Sequence, residues 1–174
     1  KLRENGYVYQ AEGALWFKST VFGDDKDRVL VKQDRSYTYL APDIAYHADK
    51  IQRGYDILIN LWGPDHAGYV PRIKAAVAAC GFSPEKLHII IVQLTTLFRG
   101  KEKISMSTRK GQFITLRQLM DEVGPDATKF FFLFRRADSH LDFDLDLAKK
   151  KTEENPIYYI QYAFVRAIHI MMFG

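Results

Sequence analysis

Between Asp56 and Leu94 the sequence reads as a short apolar run, a helix and a second short apolar run. "DILINLW" (56–62) and "LHIIIVQL" (87–94) are brief and apolar, which suits buried parallel strands. Parallel strands cannot be joined by a tight turn, and "YVPRIKAAVAACG" (69–81) supplies the crossover helix, closed by Gly81. A βαβ unit is therefore the element round which the rest must be arranged, and the fold class is α/β.

The flanks differ in character. On the N-terminal side "YVYQ", "ALWF", "RVLVK" and "YTYL" alternate apolar and polar residues and predict antiparallel strands, with a turn at Gln33 to Ser36. "PDIAYHADKIQRG" then places Pro42 at a helix start and Gly54 at its stop. On the C-terminal side "TLRQLMDEVG", "PDATKFFFLFRR" and "NPIYYIQYAFVRAIHIMMF" predict helices, the last opened by Pro156 and still apolar where the sequence stops, as in a truncated piece. Between them, Asp142, Asp144, Asp146 and Glu153 imitate a calcium loop. Leu147 at the sixth place and Lys150 at the ninth exclude it, and Leu141, Phe143, Leu145 and Leu147 read instead as one core-anchoring face.

Charge and cysteine usage narrow the class. The 25 basic residues against 21 acidic ones give a net +4, which permits an anionic partner without forming a polybasic tail. Cys80 is the single cysteine, in the apolar "AAVAACGF"; it reads as a buried thiol in a reducing compartment, hence a cytoplasmic protein. "IYYIQYAFVRAIHIMMF" is interrupted by Gln161, Arg166 and His169, so no membrane span is expected, and no signal-peptide pattern opens the sequence.

Three clusters carry candidate chemistry. Ligands of open α/β sheets bind beyond the carboxyl ends of parallel strands, where "WGPDHAGY" leaves the first one. There Gly63 allows close backbone approach, Asp65 can accept from ribose hydroxyls or cap the next helix, and His66 can donate to ribose or phosphate. "HAGY" matches three places of a His-x-Gly-His motif, but Tyr69 stands at the fourth. In "YLAPDIAYH", Tyr39 and Asp43 lie four apart at a strand-to-helix junction and can face one cleft. Asp43 there serves either the helix dipole or a guanidinium held by two parallel hydrogen bonds. Finally "ISMSTRKGQF" (104–113) gathers hydroxyls, cations and a glycine, the groups of an anion cradle or of a solvated turn.

"GALWFKSTVFGDDKDRVLVK", "YTYLAPDIAYHADK", "WGPDHAGYVPRIKAA", "SMSTRKGQFITL" and "GPDATKFFFLFRRADSHLDFDLDLAKKKTEENPIYYIQYAFVRA" together resemble the arginyl-tRNA synthetases, a class I aminoacyl-tRNA synthetase family. The resemblance covers nearly the whole chain. It implies the C-terminal half of a Rossmann-type catalytic domain with a β-hairpin region (1–115), an α-helical stem-contact region (116–154), and the first helix of an anticodon-binding domain (155–174). The family's His-x-Gly-His signature belongs to an upstream half and occurs at none of the five histidines.

The same resemblance implies residue roles. Tyr39 and Asp43 read the arginine side chain; Gly63, Asp65 and His66 hold adenosine, with Ala67 in place of a histidine common in relatives. "SMSTRKG" resembles the Lys-Met-Ser-Lys-Ser loop that closes over the ATP triphosphate: Met106 and Ser107 position it, and Arg109 and Lys110 offer the charge. Ser105 and Thr108 occupy the places of the two family lysines, which leaves Lys103, Arg109 or Lys110 to substitute. Arginine, ATP with magnesium on its phosphates, and tRNA(Arg) are the implied substrates, with no metal site in the chain and no protein partner. Without the His-x-Gly-His half, these residues alone are expected to be inactive. A non-catalytic RNA-binding module or another α/β nucleotidyl transferase are the alternatives.

Overall fold

The computed structural model describes residues 1–106, 111 and 113–173. The chain divides into two compact units, Lys1–Val92 and Gln93–Gly174.

In the first unit, β1 (Val8–Ala11), β2 (Ala14–Phe17) and β3 (Arg28–Val31) form an antiparallel sheet in that order. The turn expected at Gln33 to Ser36 is present: Asp34 Oδ1 accepts from the Ser36 N–H at 2.9 Å, and Arg35 takes a positive φ of 65°. "YTYL" is not the strand its alternation suggested. Pairing ends at a single bridge between Val31 and Tyr37, and Tyr39 already has helical angles, φ −58° and ψ −27°. Helix α1 therefore runs Leu40–Gln52, two residues ahead of Pro42. Pro42 is tolerated because the first-turn N–H groups have no intrahelical acceptor.

The βαβ unit forms as read. Strands β4 (Leu58–Trp62) and β5 (Leu87–Ile91) pair in parallel from Leu58 opposite Leu87 to Trp62 opposite Ile91. Between them α2 (Val70–Ala79) buries Ile73, Ala75, Ala76, Val77 and Ala79. Its alanines bring the helix close to its neighbours, and the core continues through Leu58, Leu87, Leu40, Ile44 and Phe17. Burial of the two strands is one-sided: Leu58 and Leu87 are in the core, whereas Ile59 and Leu61 remain 60% and 68% exposed.

The second unit contains a parallel pair that the sequence pattern did not announce. Strand β6 (Thr95–Arg99) makes a hairpin with β7 (Glu102–Lys103) and pairs in parallel with β8 (Leu141–Asp144). The crossover carries α3 (Leu116–Val123) and α4 (Pro125–Leu133). A capping box starts α3: the Thr115 hydroxyl accepts from the Gln118 N–H, and the Gln118 side chain accepts from the Thr115 N–H at 2.8 Å. Gly124, at φ 87° and ψ 150°, joins the two helices in a conformation nearly reserved for glycine.

Leu97, Leu119, Leu141, Phe143, Leu145 and Ala148 make the core of this unit. The alternation read from Leu141 to Leu147 is strand only as far as Asp144, whose Oδ1 accepts from the N–H groups of Asp146 and Leu147 and so starts α5 (Leu145–Lys149). Leu147 is thereby carried onto a helix and is only half-buried. Buried Asn155 donates to the carbonyls of Ala148 and Lys150 and accepts from the Ile157 N–H, tying the end of α5 to the start of α6 (Pro156–Phe173).

Candidate functional site

The N-terminal turn of α1 presents the first candidate pair. Tyr39 and Asp43 lie one helical turn apart, the Asp43 N–H bonding the Tyr39 carbonyl at 3.3 Å, so both side chains share a face. Tyr39 is the N-cap of α1, just after the bridge at Tyr37, and Asp43 lies in the helix's first turn. Tyr39 is 90% exposed and Asp43 is half-buried. A third residue completes the group: the Tyr69 hydroxyl donates to Asp43 Oδ2 at 2.8 Å. Burial, and then this bond to a carboxylate, push the Tyr69 phenol well above its ordinary range, so it remains a donor at every physiological pH.

One turn further along α1, buried His47 ties the same helix to the sheet. Its Nδ1 lies 2.8 Å from the Asp43 carbonyl oxygen, which can only accept, so Nδ1 carries the proton. Its Nε2 then accepts from Asn60 Nδ2 on β4 at 2.9 Å, while Asn60 Oδ1 receives Lys50 Nζ at 3.4 Å. Burial lowers the His47 pKa below its ordinary 6.5, opposed by the Asp43 carbonyl bond and reinforced by the Lys50 charge. The imidazole is accordingly neutral and structural. Neither His47 nor Asn60 was singled out from the sequence, since a lone histidine on a helix and an asparagine in an apolar run carry no pattern that pairs them.

Beyond the carboxyl end of β4, Gly63 leads into a 3-10 turn, Pro64–Tyr69, that runs directly into α2. Gly63 is extended (φ −71°, ψ 165°), a conformation open to any residue, and an added Cβ would meet nothing within 4 Å. Asp65 and His66 are exposed on the turn. No side-chain cap hydrogen bond closes either the turn or α2, so Asp65 is not the helix cap that its position allowed. The His66 ring lies 6.0 Å from that of Trp62, and Tyr69 meets Trp62 edge-on at 5.8 Å.

In the second unit, Met106 is 41% exposed and helps line a cavity of about 160 Å³ with Leu97, Ile114, Leu119 and Phe132. Ser107, Thr108, Arg109 and Lys110 lie outside the described residues. Lys103 stands on β7, opposite Phe98. On the same unit Arg99 grips Glu122 with two bonds of 2.7 and 3.1 Å, and Lys149 adds a third at 2.9 Å. Arg99 first, then Lys149, hold the Glu122 carboxyl down to about 2. The trio joins β6, α3 and α5, but its partial exposure keeps each pair near the modest value of a surface ion pair. Among the described residues no three His, Cys, Asp or Glu side chains cluster as a metal site, and no helix is long and apolar enough to cross a membrane.

The family model described as tRNA synthetases class I (R), catalytic domain, matches residues 1–132. The chain belongs to the class I arginyl-tRNA synthetase family. It is 57% identical over 170 residues to an arginine–tRNA ligase of Geobacillus kaustophilus, covering 98% of this chain and 30% of that protein. The match to the Anoxybacillus flavithermus ligase is 57% over 173 residues, covering 99% and 31%. The chain thus spans about 30% of the length of the curated relatives it matches. Among solved structures, a Campylobacter jejuni chain assigned as an arginyl-tRNA synthetase superposes with a TM-score of 0.86 at 43% identity, covering 98% of this chain and 37% of that one. The Thermus thermophilus arginyl-tRNA synthetase shares the fold, with a TM-score of 0.73 at 19% identity over 98% of this chain and 38% of its own. The α/β class and the family read from the sequence are both borne out.

The buried histidine makes the first prediction. With its folded pKa lowered, His47 takes up a proton less readily in the native chain than in the unfolded one, where it titrates near 6.5. Above that pH it contributes nothing to the pH dependence, and below it stability falls until the native group is also protonated. The thermal midpoint of the 174-residue chain should therefore drop between pH 7 and 5.5, and His47→Gln should flatten that slope. Equal slopes in the two proteins would refute the assignment of a neutral His47.

Proposed function

We propose that this chain forms part of the catalytic region of an arginine–tRNA ligase that activates arginine with ATP and transfers it to tRNA(Arg). The observation that carries this reading is the Asp43 carboxylate, set on the first turn of α1 beside an exposed tyrosine and fixed by a neutral hydroxyl. A carboxylate in that setting suits a guanidinium, whose planar fork takes two parallel hydrogen bonds; lysine would match the charge but not the fork. Tyr39 offers the aromatic face beside it.

In this reading Gly63, Asp65 and His66 receive adenosine, Gly63 lying against open space just beyond the carboxyl end of β4. The arginine carboxylate attacks the α-phosphate of ATP and the bond to pyrophosphate breaks; a terminal ribose hydroxyl of tRNA then loses its proton and takes the arginyl group as the anhydride bond breaks and AMP leaves. No protein nucleophile is needed, and the protein contributes position and charge. Met106 and Ser107 position the phosphate loop, while Arg109 and Lys110 supply the cations absent at Ser105 and Thr108. Magnesium would enter with the ATP phosphates and supply charge neutralisation there. Residues 1–115 correspond to the C-terminal half of the Rossmann-type domain, 116–154 to the stem-contact region and 155–174 to the first helix of the anticodon-binding domain.

Three measurements test these assignments. In a full-length ligase carrying this segment, Asp43→Asn should weaken arginine binding by roughly 2 to 5 kcal/mol and leave ATP affinity in place, because the desolvated guanidinium loses its counter-charge; an unchanged arginine KM would return Asp43 to a helix-terminal role. Replacing Arg109 and Lys110 together with alanine should slow single-turnover adenylate formation at saturating ATP by a few hundredfold, about 3 to 4 kcal/mol, with Lys103→Ala as the control. A double variant as fast as the parent would assign the phosphate contacts elsewhere. The 174 residues alone should show no arginine-dependent exchange of pyrophosphate into ATP, and measurable exchange would overturn the need for a His-x-Gly-His partner.

A further inference from the structure

We propose that Tyr69 is a positioning residue for Asp43, fixing the plane of the carboxylate that reads the guanidinium and thereby setting affinity for arginine. The inference rests on the reading of Asp43 given above. Its basis is the 2.8 Å bond from the Tyr69 hydroxyl to Asp43 Oδ2, made between residues 26 positions apart.

Three features make this bond more than incidental packing. The phenol is held rigidly: Tyr69 ends the 3-10 turn and adjoins the first residue of α2, its ring meets Trp62 at 5.8 Å, and the Arg72 guanidinium lies over its face at 5.5 Å. An aspartate carboxylate otherwise turns broadly about its last bond, so a fixed donor on one oxygen removes the freedom that arginine binding would have to remove. The bond also leaves acceptor capacity intact, because each carboxylate oxygen takes two hydrogen bonds; Oδ1 and the remaining lone pair of Oδ2 still form a fork.

The chemistry of the donor matters as much as its place. A lysine or arginine at position 69 would neutralise Asp43 and compete with the substrate's cation. A phenol orients the carboxylate and leaves its charge whole, and burial keeps that phenol protonated. The same six-residue turn carries Asp65 and His66, so one short element presents the proposed adenosine contacts at one end and steadies the amino-acid carboxylate at the other.

Tyr69→Phe retains the ring against Trp62 and deletes only the donor. In a full-length ligase carrying this segment it should raise the arginine KM about tenfold, the scale of a lost hydrogen bond to a charged group, with ATP KM and kcat nearly unchanged. In the Asp43→Asn background the same change should add little, since the charged acceptor is already gone. An unchanged arginine KM in Tyr69→Phe, with Asp43→Asn impaired, overturns this inference alone. So does an equal loss in both backgrounds, or a loss confined to ATP KM or kcat, each of which places Tyr69 in general packing or in the adenosine turn. An Asp43→Asn enzyme with normal arginine KM overturns the reading of Asp43 itself, and this inference with it.

Discussion

Helix α2 lies against α1 and the 3-10 turn Ser19–Phe22 with Ile73, Ala75, Ala76, Val77 and Ala79 almost wholly removed from water. Small residues on that face let backbones approach closely, and a parallel pair of strands can be joined only through such a crossover. Enlarging any of these alanines would overpack a contact that has no slack. Because the contact fixes where α2 begins, it also fixes Tyr69 at the carboxyl end of β4. From there the phenol reaches Asp43 on α1. The candidate site is thus a consequence of how one alanine-faced helix is buried.

Two sets of polar interactions differ in worth. Arg99, Glu122 and Lys149 make short, well-formed ion pairs, yet all three stand partly in water and gain little over hydration. The His47–Asn60 bond is wholly buried, and losing one partner would leave a polar atom unsatisfied at a cost of about 1–3 kcal/mol. That neutral, buried link ties α1 to β4, beside the longer bond from Lys50 to Asn60. The bond from Tyr69 to Asp43 lies between these kinds, half-buried and charge-assisted on one side only.

Much of the architecture was legible from local pattern. Parallel β4 and β5, the crossover α2 with its Gly81 stop, β1 to β3, and helices α3, α4 and α6 all follow from periodicity and from Pro and Gly punctuation, because those signals act over a few residues. Elements that fail this test are the ones whose state depends on partners. "YTYL" alternates like a strand, but β3 offers it a single bridge, and α1 takes Leu40 with Tyr39 at its N-cap. Leu145 and Leu147 continue an alternation that Asp144 ends by capping a helix. The five-residue β6 is a strand because β8, more than forty positions later, pairs with it.

For the candidate site, residue types and order were enough to single out Tyr39, Asp43, Gly63, Asp65 and His66 as candidates and to point to the arginyl-tRNA synthetase family, which the comparisons show. Tertiary structure alone decided their surroundings: that Asp65 caps nothing, that His47 is a neutral strut to Asn60, and that Tyr69, read in sequence only as a failed histidine, is the hydroxyl on Asp43. Spacing along the chain encodes which side chains share a helix face. It does not encode which side chain another element, 26 residues away, will bring to within 2.8 Å, because that distance is set by the packing of α2.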